Sequence, residues 1–230
     1  MDETDWLDVT VARKWNEAVE IAGFELVPAG GGFLPAFDAG AFIDVLTPGG
    51  HLRTYSLCNS PTERHRYVVA VLREPSGRGG SIALHERAKR GDRLRIRAPR
   101  NEFALRTAAV YSVLLGGGIG VTPLLGMADT LWRQGAGFEM HYSARNAERA
   151  AFDEALRKCS YGARVRRHWS EERGRLRFEQ VFARVPALSH VYLCGPGSFI
   201  DSAVTAATKL GWPLERMHLE SFGPVRSPAP

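Results

Sequence analysis

Apolar and polar residues alternate along most of the first hundred positions, in short runs bounded by glycine and proline. The predicted strands are VTVARKW, AVEIAGFELVP, AFIDVL, RTYSLC, RYVVAVLRE and RLRIRAP. Because many short strands at nearly even spacing are typical of antiparallel barrels and sandwiches, residues 1–105 are predicted to form an antiparallel β-barrel domain. One helix, SIALHERAKRG, interrupts the strands, with Ser81 predicted as its N-cap and Gly91 just past its end.

After Arg106 the pattern changes to a repeat of strand, loop and helix. The predicted strands are AVYSVLLGGG, FEMHYSA, ARVRRHWS and HVYLCGP, and the predicted helices are TPLLGMADTLWRQG, ERAAFDEALRKC, RFEQVFARV and SFIDSAVTAATKLG. Strands that alternate with helices give a parallel sheet covered on both faces, with ligands at the carboxyl ends of the strands. Residues 106–224 are therefore predicted to form a parallel-sheet αβα domain, and the proline-rich residues 225–230 a linker or truncated tail.

Composition excludes several classes of protein. Hydrophobic residues make up 44% of the chain and charged residues 24%, and no apolar run is long enough to span a bilayer. The acidic start, MDETDWLD, lacks the order of a signal peptide, so a cytoplasmic protein without membrane association is expected. The three cysteines show no C-x-x-C spacing, which argues against a disulfide framework, a structural zinc or an iron–sulfur cluster, and no metal is expected.

The net charge of +5 lies in the second half of the chain. Residues 1–105 carry 14 basic and 14 acidic side chains, whereas residues 106–230 carry 16 and 11. The most basic stretch, ERAKRGDRLRIRAPR, alternates as LRIRA, which favours a strand with one solvated basic face over a nucleic-acid-binding element. No nucleic-acid partner is expected.

The strand RTYSLC carries the first candidate for ligand binding. On a strand, Arg53 and Tyr55 point to one face while Thr54 and Ser56 point to the other. An arginine beside a phenol suits an anionic aromatic ligand, because a planar ring can pack on the tyrosine and the guanidinium can hold a phosphate in a fork.

The turn GRGGS lies between a strand and the predicted helix. Gly79, Gly80 and Ser81 can point backbone N–H groups at a ligand near the positive end of that helix, which predicts a phosphate site. The turn lacks the lysine of a P-loop, so nucleoside-triphosphate chemistry is not expected. A glycine-rich hairpin with a helix cap remains the alternative interpretation.

Two glycine turns end strands of the second half and are expected to face one crevice. In LLGGGIGVTP, Thr122 is predicted to cap a helix whose first residue is Pro123. The spacing is G-x-G-x-G rather than G-x-G-x-x-G and the second strand ends without an acidic residue, so the standard dinucleotide fingerprint is absent. The other turn, CGPG, precedes a helix with Ser198 as its predicted cap, and Cys194 within it could equally be an ordinary buried thiol.

Taken together, these motifs resemble the ferredoxin–NADP reductase superfamily, and within it the phthalate dioxygenase reductase and vanillate O-demethylase reductase type. The stretches that carry the resemblance are RTYSLCNSP with ERHRYVVAVLRE, GRGGS, APRNEFAL, LLGGGIGVTPLLGMA, YLCGPGSFID and HLESFG. They cover nearly the whole chain in the order of the family.

The resemblance implies a cofactor in each domain. FMN in the barrel would be held by Arg53, Thr54, Tyr55, Ser56, Arg73, Gly79, Gly80 and Ser81. A pyridine nucleotide in the αβα domain would be held by Gly117, Gly118, Ile119, Gly120, Thr122, Cys194, Gly195 and Pro196. The ring of Phe222, in ESFG, would shelter one face of the flavin, with core packing as the alternative.

The choice between NADH and NADPH in the superfamily is made after the second and third strands, here SAR at 143–145 and SEER at 170–173. A carboxylate accepts a hydrogen bond from a ribose 2′-OH and repels a 2′-phosphate, so Glu171 or Glu172 favours NADH. Arg145 and the arginine of the second stretch leave NADPH open.

The function implied is an FMN-dependent NADH oxidoreductase, a monomer that passes single electrons towards a Rieske-type oxygenase or O-demethylase. No side chain is expected to act as acid, base or nucleophile, and Ser56 and Cys194 are expected beside the contact between nicotinamide and flavin. The C-x₄-C-x₂-C set of the family's ferredoxin domain is missing from the sequence. The acceptor is therefore expected to be a separate [2Fe–2S] protein, unless the chain is a shortened form. A stand-alone flavin reductase or diaphorase is the alternative.

Overall fold

The computed structural model describes residues 6–106, 109–186 and 188–222. The chain divides into two units, the first made of Met1–Leu105 with Leu125–Thr130 and the second of Arg106–Leu124 with Leu131–Pro230. The assignment of one unit to flavin and the other to a nucleotide stays a prediction at this point. The tail predicted at 225–230 lies outside the described residues.

The first unit contains an antiparallel sheet. Its strands are β1 (Trp6–Ala18), β2 (Ile21–Pro28), β3 (Phe42–Leu46), β4 (Leu52–Ser56), β5 (Tyr67–Leu72) and β6 (Arg93–Arg97). They lie in the order β4-β3-β6-β1-β2-β5. The two outer strands meet where the N–H of Cys58, just after β4, donates to the carbonyl oxygen of Val68 on β5 at 2.8 Å. The predicted antiparallel barrel is confirmed.

Alternate residues of these strands fill the barrel, as the period-two pattern predicts. Val9, Val11, Phe24, Leu26, Ile43, Val45, Val69, Val71, Leu94 and Ile96 share one buried core. Helix α1 (Gly80–Arg87) adds Leu84 to the same core. The predicted cap of α1 is wrong, because the N-cap is Gly79 in the left-handed conformation that glycine adopts readily, and Ser81 lies inside the helix.

The second unit contains a parallel sheet, in the strand order β11-β10-β7-β8-β9. Its strands are β7 (Ser112–Gly117), β8 (Phe138–Ala144), β9 (Val165–Trp169), β10 (His190–Gly195) and β11 (Met217–Ser221). Its helices are α3 (Asp153–Lys158), α4 (Ser170–Arg173), α5 (Phe178–Phe182) and α6 (Gly197–Lys209), together with both ends of α2 (Thr122–Arg133), whose residues Leu125–Thr130 belong to the first unit. Every residue of β7 is buried, as expected for a central parallel strand, and α5 and α6 pack on one face of the sheet.

Several boundaries in this unit differ from the sequence prediction. Strand β11 and helix α4 were not predicted, because β11 is an edge strand with alternate residues exposed and α4 has only four residues. Helix α3 begins at Asp153 rather than five residues earlier, because Phe152 adopts a left-handed backbone with φ 60°. Helix α6 begins at Gly197 after Pro196, so Ser198 lies inside the helix and does not cap it. No helix within the described ranges has the length and apolarity needed to cross a bilayer.

Candidate functional site

The guanidinium of Arg53 lies against the glycine turn that precedes α1. Its Nη1 donates to the carbonyl oxygen of Leu52 at 2.7 Å and its Nη2 to that of Arg78 at 3.3 Å. A Cβ placed on Gly80 would lie only 2.6 Å from Nε of Arg53, so the close approach depends on the missing side chain. The structure thus brings together two motifs that are separated by 25 residues in the sequence.

The first turn of α1 contains neither a capping side chain nor an acidic residue of its own. The N-cap Gly79 makes no side-chain hydrogen bond. The hydroxyl of Ser81 accepts a hydrogen bond from the N–H of Glu74 at 3.1 Å and so serves the preceding loop. Because the first N–H groups of a helix lack partners within it, this positive end is open to an anion.

His51 is a residue of this region that the sequence analysis missed. Its Nε2 lies 3.4 Å from the position that a Cβ of Gly79 would take. The alternation of side chains could have identified it, since His51 precedes Arg53 by two positions and therefore lies on the same side of an extended chain.

Tyr55 lies on the face of β4 that points to the barrel core. It stands directly opposite Ile43 on β3, and its ring packs against the core. Burial raises the pKa of Tyr55 to about 12, against an opposing effect of the Arg53 charge. The phenol is therefore uncharged at neutral pH.

Thr54 and Ser56 lie on the other face of β4, as predicted. The hydroxyl of Thr54 donates to Oδ1 of Asp44 at 2.7 Å, and Oδ2 of the same carboxylate accepts from Arg100 at 2.7 Å. Ser56 is only 4% exposed, and its Oγ has no hydrogen-bond partner among the described residues. A buried hydroxyl without a partner costs about 1–3 kcal/mol, which a bound ligand could recover.

A flavin nucleotide fits these features. The unpartnered Oγ of Ser56 can bind a polar ring edge, and the open end of α1 beside Arg53 can bind a phosphate. Nη2 of Arg73 forms an ion pair with Oε1 of Glu86 at 2.9 Å, in the last turn of α1, and its role near the flavin stays a prediction.

In the second unit, the glycine turn after β7 packs directly on the end of β10. Residues Gly118–Val121 form a short 3₁₀ turn. A Cβ on Gly120 would lie 2.2 Å from the carbonyl oxygen of Cys194, so this position has room only for glycine. Thr122 is the first residue of α2 and donates its hydroxyl to the carbonyl oxygen of Ile119 at 2.9 Å. The predicted capping role of Thr122 is wrong, because the 3₁₀ turn leads straight into the helix.

A cavity of about 290 Å³ opens at the carboxyl ends of the strands in this unit. Of the predicted nucleotide-binding residues, those that line it are Gly117, Gly118, Arg145 and Pro196. The predicted residues that do not line it are Ile119, Gly120, Thr122, Glu171, Cys194 and Gly195. Lining residues that the sequence analysis did not assign to the site include Ser143, His168, Ser170, Arg175, Phe178 and Phe199.

Cys194 is fully buried and does not reach this cavity. Its Sγ lies 3.6 Å from Oε2 of Glu220, the residue opposite it on β11. Burial and the nearby carboxylate both raise the pKa of the Cys194 thiol. The thiol therefore stays protonated and is not suited to act as a nucleophile.

The two glutamates expected to select NADH point elsewhere. Oε2 of Glu171 accepts a hydrogen bond from Nδ2 of Asn146 at 2.8 Å. Glu172 lines a separate cavity of about 270 Å³ together with Arg173. Neither glutamate lines the larger cavity.

Two stacked histidines lie at the cavity wall: His168 lines the cavity, and His141 is buried behind it. Nε2 of His168, a lining residue, lies 3.0 Å from Nδ1 of His141, and Nε2 of His141 lies 3.3 Å from the carboxylate of Glu139. The close imidazole of His141 lowers the pKa of Glu139, while burial and the neighbouring charges of His141 and Arg166 lower the pKa of His168 to about 4. His168 is therefore a neutral wall of the cavity at physiological pH.

This pair predicts a pH dependence of stability. The folded-state pKa of His168 lies below its ordinary value of 6.5, so the unfolded chain binds the proton more readily and stability falls as the pH drops from about 6.5 towards about 4. His168→Gln is expected to flatten this slope in thermal unfolding measured across that range. His65→Gln, at an exposed histidine, should retain the original slope. An unchanged slope in His168→Gln would contradict the prediction.

Phe222 follows β11 and is 39% exposed, so it is not packed in a core. Its predicted role against a flavin stays a prediction. Within the described residues, no group of three or more histidine, cysteine or acidic side chains could hold a metal ion.

Comparison with known sequences finds close relatives along nearly the whole chain. The vanillate O-demethylase oxidoreductase of Pseudomonas putida is 46% identical over 217 residues, which cover 94% of this chain and 68% of the relative. The phthalate dioxygenase reductase of Burkholderia cepacia is 39% identical over 231 residues, which cover 99% of this chain and 71% of the relative. No protein-family profile matches the chain.

Solved structures agree with these relatives. Phthalate dioxygenase reductase, described as a modular structure for electron transfer from pyridine nucleotides to [2Fe–2S], superposes with a TM-score of 0.91 at 38% identity. That match covers 97% of this chain and 70% of the other. The FAD/NAD-binding domain of a nitric oxide dioxygenase from Vibrio cholerae superposes with a TM-score of 0.84 at 26% identity, covering 96% of this chain and all of the other.

Proposed function

Because this chain belongs to the family of phthalate dioxygenase reductases and vanillate O-demethylase reductases, it is a pyridine-nucleotide-dependent flavoprotein oxidoreductase, and we propose that FMN is its flavin. We propose further that it serves a Rieske-type oxygenase or O-demethylase, with NADH or NADPH as the donor and a [2Fe–2S] protein or domain as the acceptor. The names of the relatives support this assignment, and the residues of the first unit supply the physical argument.

The observation that carries the proposal is the pairing of Arg53 with the open end of α1. The same strand, β4, also buries the unpartnered hydroxyl of Ser56. Arg53 and the helix N–H groups hold a phosphate, and Ser56 supplies a hydrogen bond to a polar ring edge. When bound, the flavin supplies the conversion of a two-electron donor into single-electron transfers. The protein side chains orient and bind, since Cys194 is protonated and buried.

The second unit supports the nucleotide part of the proposal. Gly117 and Gly118 bring backbone to the cavity wall, and Pro196, Phe178 and Phe199 give it an apolar side against which a planar ring can pack. The cavity lies at the carboxyl ends of parallel strands, where ligands of this fold class bind.

Reconstitution tests the proposal directly. The purified protein is incubated with FMN or with FAD, passed through gel filtration and mixed anaerobically with NADH or NADPH while flavin absorbance is followed. We expect FMN to be retained more strongly than FAD and to be bleached by a reduced pyridine nucleotide. Loss of all flavin on the column together with rapid turnover of free flavin would favour a stand-alone flavin reductase. Retained flavin that neither nucleotide reduces would refute the proposal.

Ser56→Ala tests the role of the buried hydroxyl. Because this variant removes a buried group without a partner, the flavin-free protein is expected to keep its stability or gain up to about 1 kcal/mol, while FMN affinity falls about fivefold. Urea unfolding and fluorescence titration with FMN measure the two effects. Ser112→Ala is the matched control, because Ser112 also buries an unpartnered hydroxyl but lies on β7 in the other unit. Equal FMN affinity in the two variants would contradict the assignment of Ser56.

A further inference from the structure

We propose that the cavity of the second unit binds the 2′-phosphate of NADPH through Arg145 and Arg175, so that this chain accepts NADPH as an electron donor. This inference rests on the proposed function and concerns the choice of nucleotide at the same site. It reverses the preference that the sequence alone predicted.

The positions of the two arginines support it. Arg145 comes directly after β8, and Arg175 lies in the loop that follows α4, after β9. Both line the cavity at the carboxyl ends of these neighbouring strands. In parallel nucleotide-binding sheets an acidic residue after the second strand binds a ribose 2′-OH, whereas an arginine near that place accommodates a 2′-phosphate.

The charge of the cavity points the same way. No aspartate or glutamate is found among its lining residues in the part of the chain that the structure describes, although two arginines are. Neither guanidinium makes a hydrogen bond or an ion pair with the described residues, and both side chains are exposed. Their N–H donors are therefore available to an incoming phosphate, which guanidinium groups bind through paired hydrogen bonds.

The carboxylates that would oppose a 2′-phosphate are engaged elsewhere. Glu171 is oriented by the amide of Asn146, and Glu172 lines the separate cavity beside Arg173. With these partners, neither carboxylate lines the cavity or is placed to accept a hydrogen bond from a ribose 2′-OH there. The feature from which NADH selection was inferred is therefore missing from the site itself.

Two serines add hydrogen-bond donors to the same wall. Ser143 and Ser170 both line the cavity, and Oγ of Ser143 is buried without a partner among the residues described. A hydroxyl can donate to a phosphate oxygen as readily as it accepts from a ribose, so these side chains complete a phosphate site without adding negative charge.

Binding of adenosine fragments tests the inference without any flavin. The whole protein is titrated by calorimetry with 5′-AMP, with 2′,5′-ADP and with 5′-ADP, which carries its second phosphate at the other end. We expect 2′,5′-ADP to bind at least about tenfold more tightly than either other fragment, because charge-assisted hydrogen bonds to the 2′-phosphate are strong. Added salt should reduce this preference.

Three glutamine variants locate the effect. Arg175→Gln and Arg145→Gln are each expected to reduce the preference for 2′,5′-ADP about tenfold, and to lower the ratio of kcat/KM for NADPH to that for NADH by a similar factor. Arg173→Gln is the matched control, since Arg173 precedes Arg175 by two residues but lines the other cavity. It should leave both quantities unchanged.

The outcomes separate this inference from the proposed function. If 5′-AMP binds and NADH reduces the flavin, but the 2′-phosphate adds no affinity, only the inference is overturned. The same holds if 5′-ADP binds as tightly as 2′,5′-ADP, because a phosphate at the 2′ position would then add no more affinity than one at the pyrophosphate position. If no fragment binds and neither nucleotide reduces the flavin, the proposed function fails and the inference fails with it.

Discussion

Replacing Arg53 with alanine is expected to weaken FMN binding about 30-fold to 100-fold, or about 2–3 kcal/mol. Within the described residues the Arg53 guanidinium donates to two backbone carbonyls, which fix its position, and it has further N–H donors for a phosphate. The neighbouring end of α1 contributes N–H groups but no formal charge, so Arg53 provides the main electrostatic attraction. Fluorescence titration with FMN at low ionic strength measures the loss.

Two further variants define the cause of this effect. Gly80→Ala keeps the arginine but places a Cβ 2.6 Å from Nε of Arg53, so the guanidinium must move and FMN affinity should fall in the same direction. Arg93→Ala removes an exposed arginine of β6 and changes the net charge equally, yet it should leave FMN affinity within about twofold, as an exposed charge is largely screened. Equal losses in Arg53→Ala and Arg93→Ala would show that only overall charge matters.

Local sequence signals predicted the parts of the structure that depend on backbone geometry. Alternation in RTYSLC placed Arg53 and Tyr55 on one face of β4 and Thr54 and Ser56 on the other, because side chains of an extended chain alternate strictly. The six strands of the barrel were predicted for the same reason. The glycine turn before α1 was predicted because its backbone needs a positive φ, which glycine adopts without strain.

Helix starts were predicted less well, and for one physical reason. Ser81, Thr122 and Ser198 were each expected to be caps, but each lies at or after the first residue of its helix. In each case the chain immediately before it already turns into the helix, through a glycine, a 3₁₀ turn or a proline with its glycine. Capping propensity describes the side chain alone and does not register a preceding backbone turn that takes over the role.

The orientation of side chains in the loops could not be predicted from the sequence. Glu171 follows the third strand of the αβα pattern, as a residue that reads a ribose would, yet the amide of Asn146 binds its carboxylate. Arg175 gave no signal of its own, because only the fold of the segment around α4 brings it to the cavity. The contact between His141 and His168 likewise depends on the register of β8 and β9, which no local pattern encodes.

Gly120→Ala is expected to destabilise the second unit by about 3 kcal/mol, the upper part of the range for overpacking a rigid site. The new Cβ would lie 2.2 Å from the carbonyl oxygen of Cys194 and 2.6 Å from the N of Gly195, and both are backbone atoms of a central strand that cannot rotate away. The turn must therefore shift, and Gly117 and Gly118 on the cavity wall must shift with it. Urea unfolding and titration with adenosine fragments should show losses of stability and of binding together.

Gly197→Ala is the matched control for this prediction. A Cβ at Gly197 would meet no atom within 4 Å, and the position lies at the start of α6 in the same unit. Its stability is therefore expected to stay within about 0.5 kcal/mol of the original, as for other exposed substitutions. If Gly120→Ala were as stable as Gly197→Ala, the turn could relax away from β10. The glycine would then serve ligand access rather than backbone packing, and the loss of binding without loss of stability would identify that role.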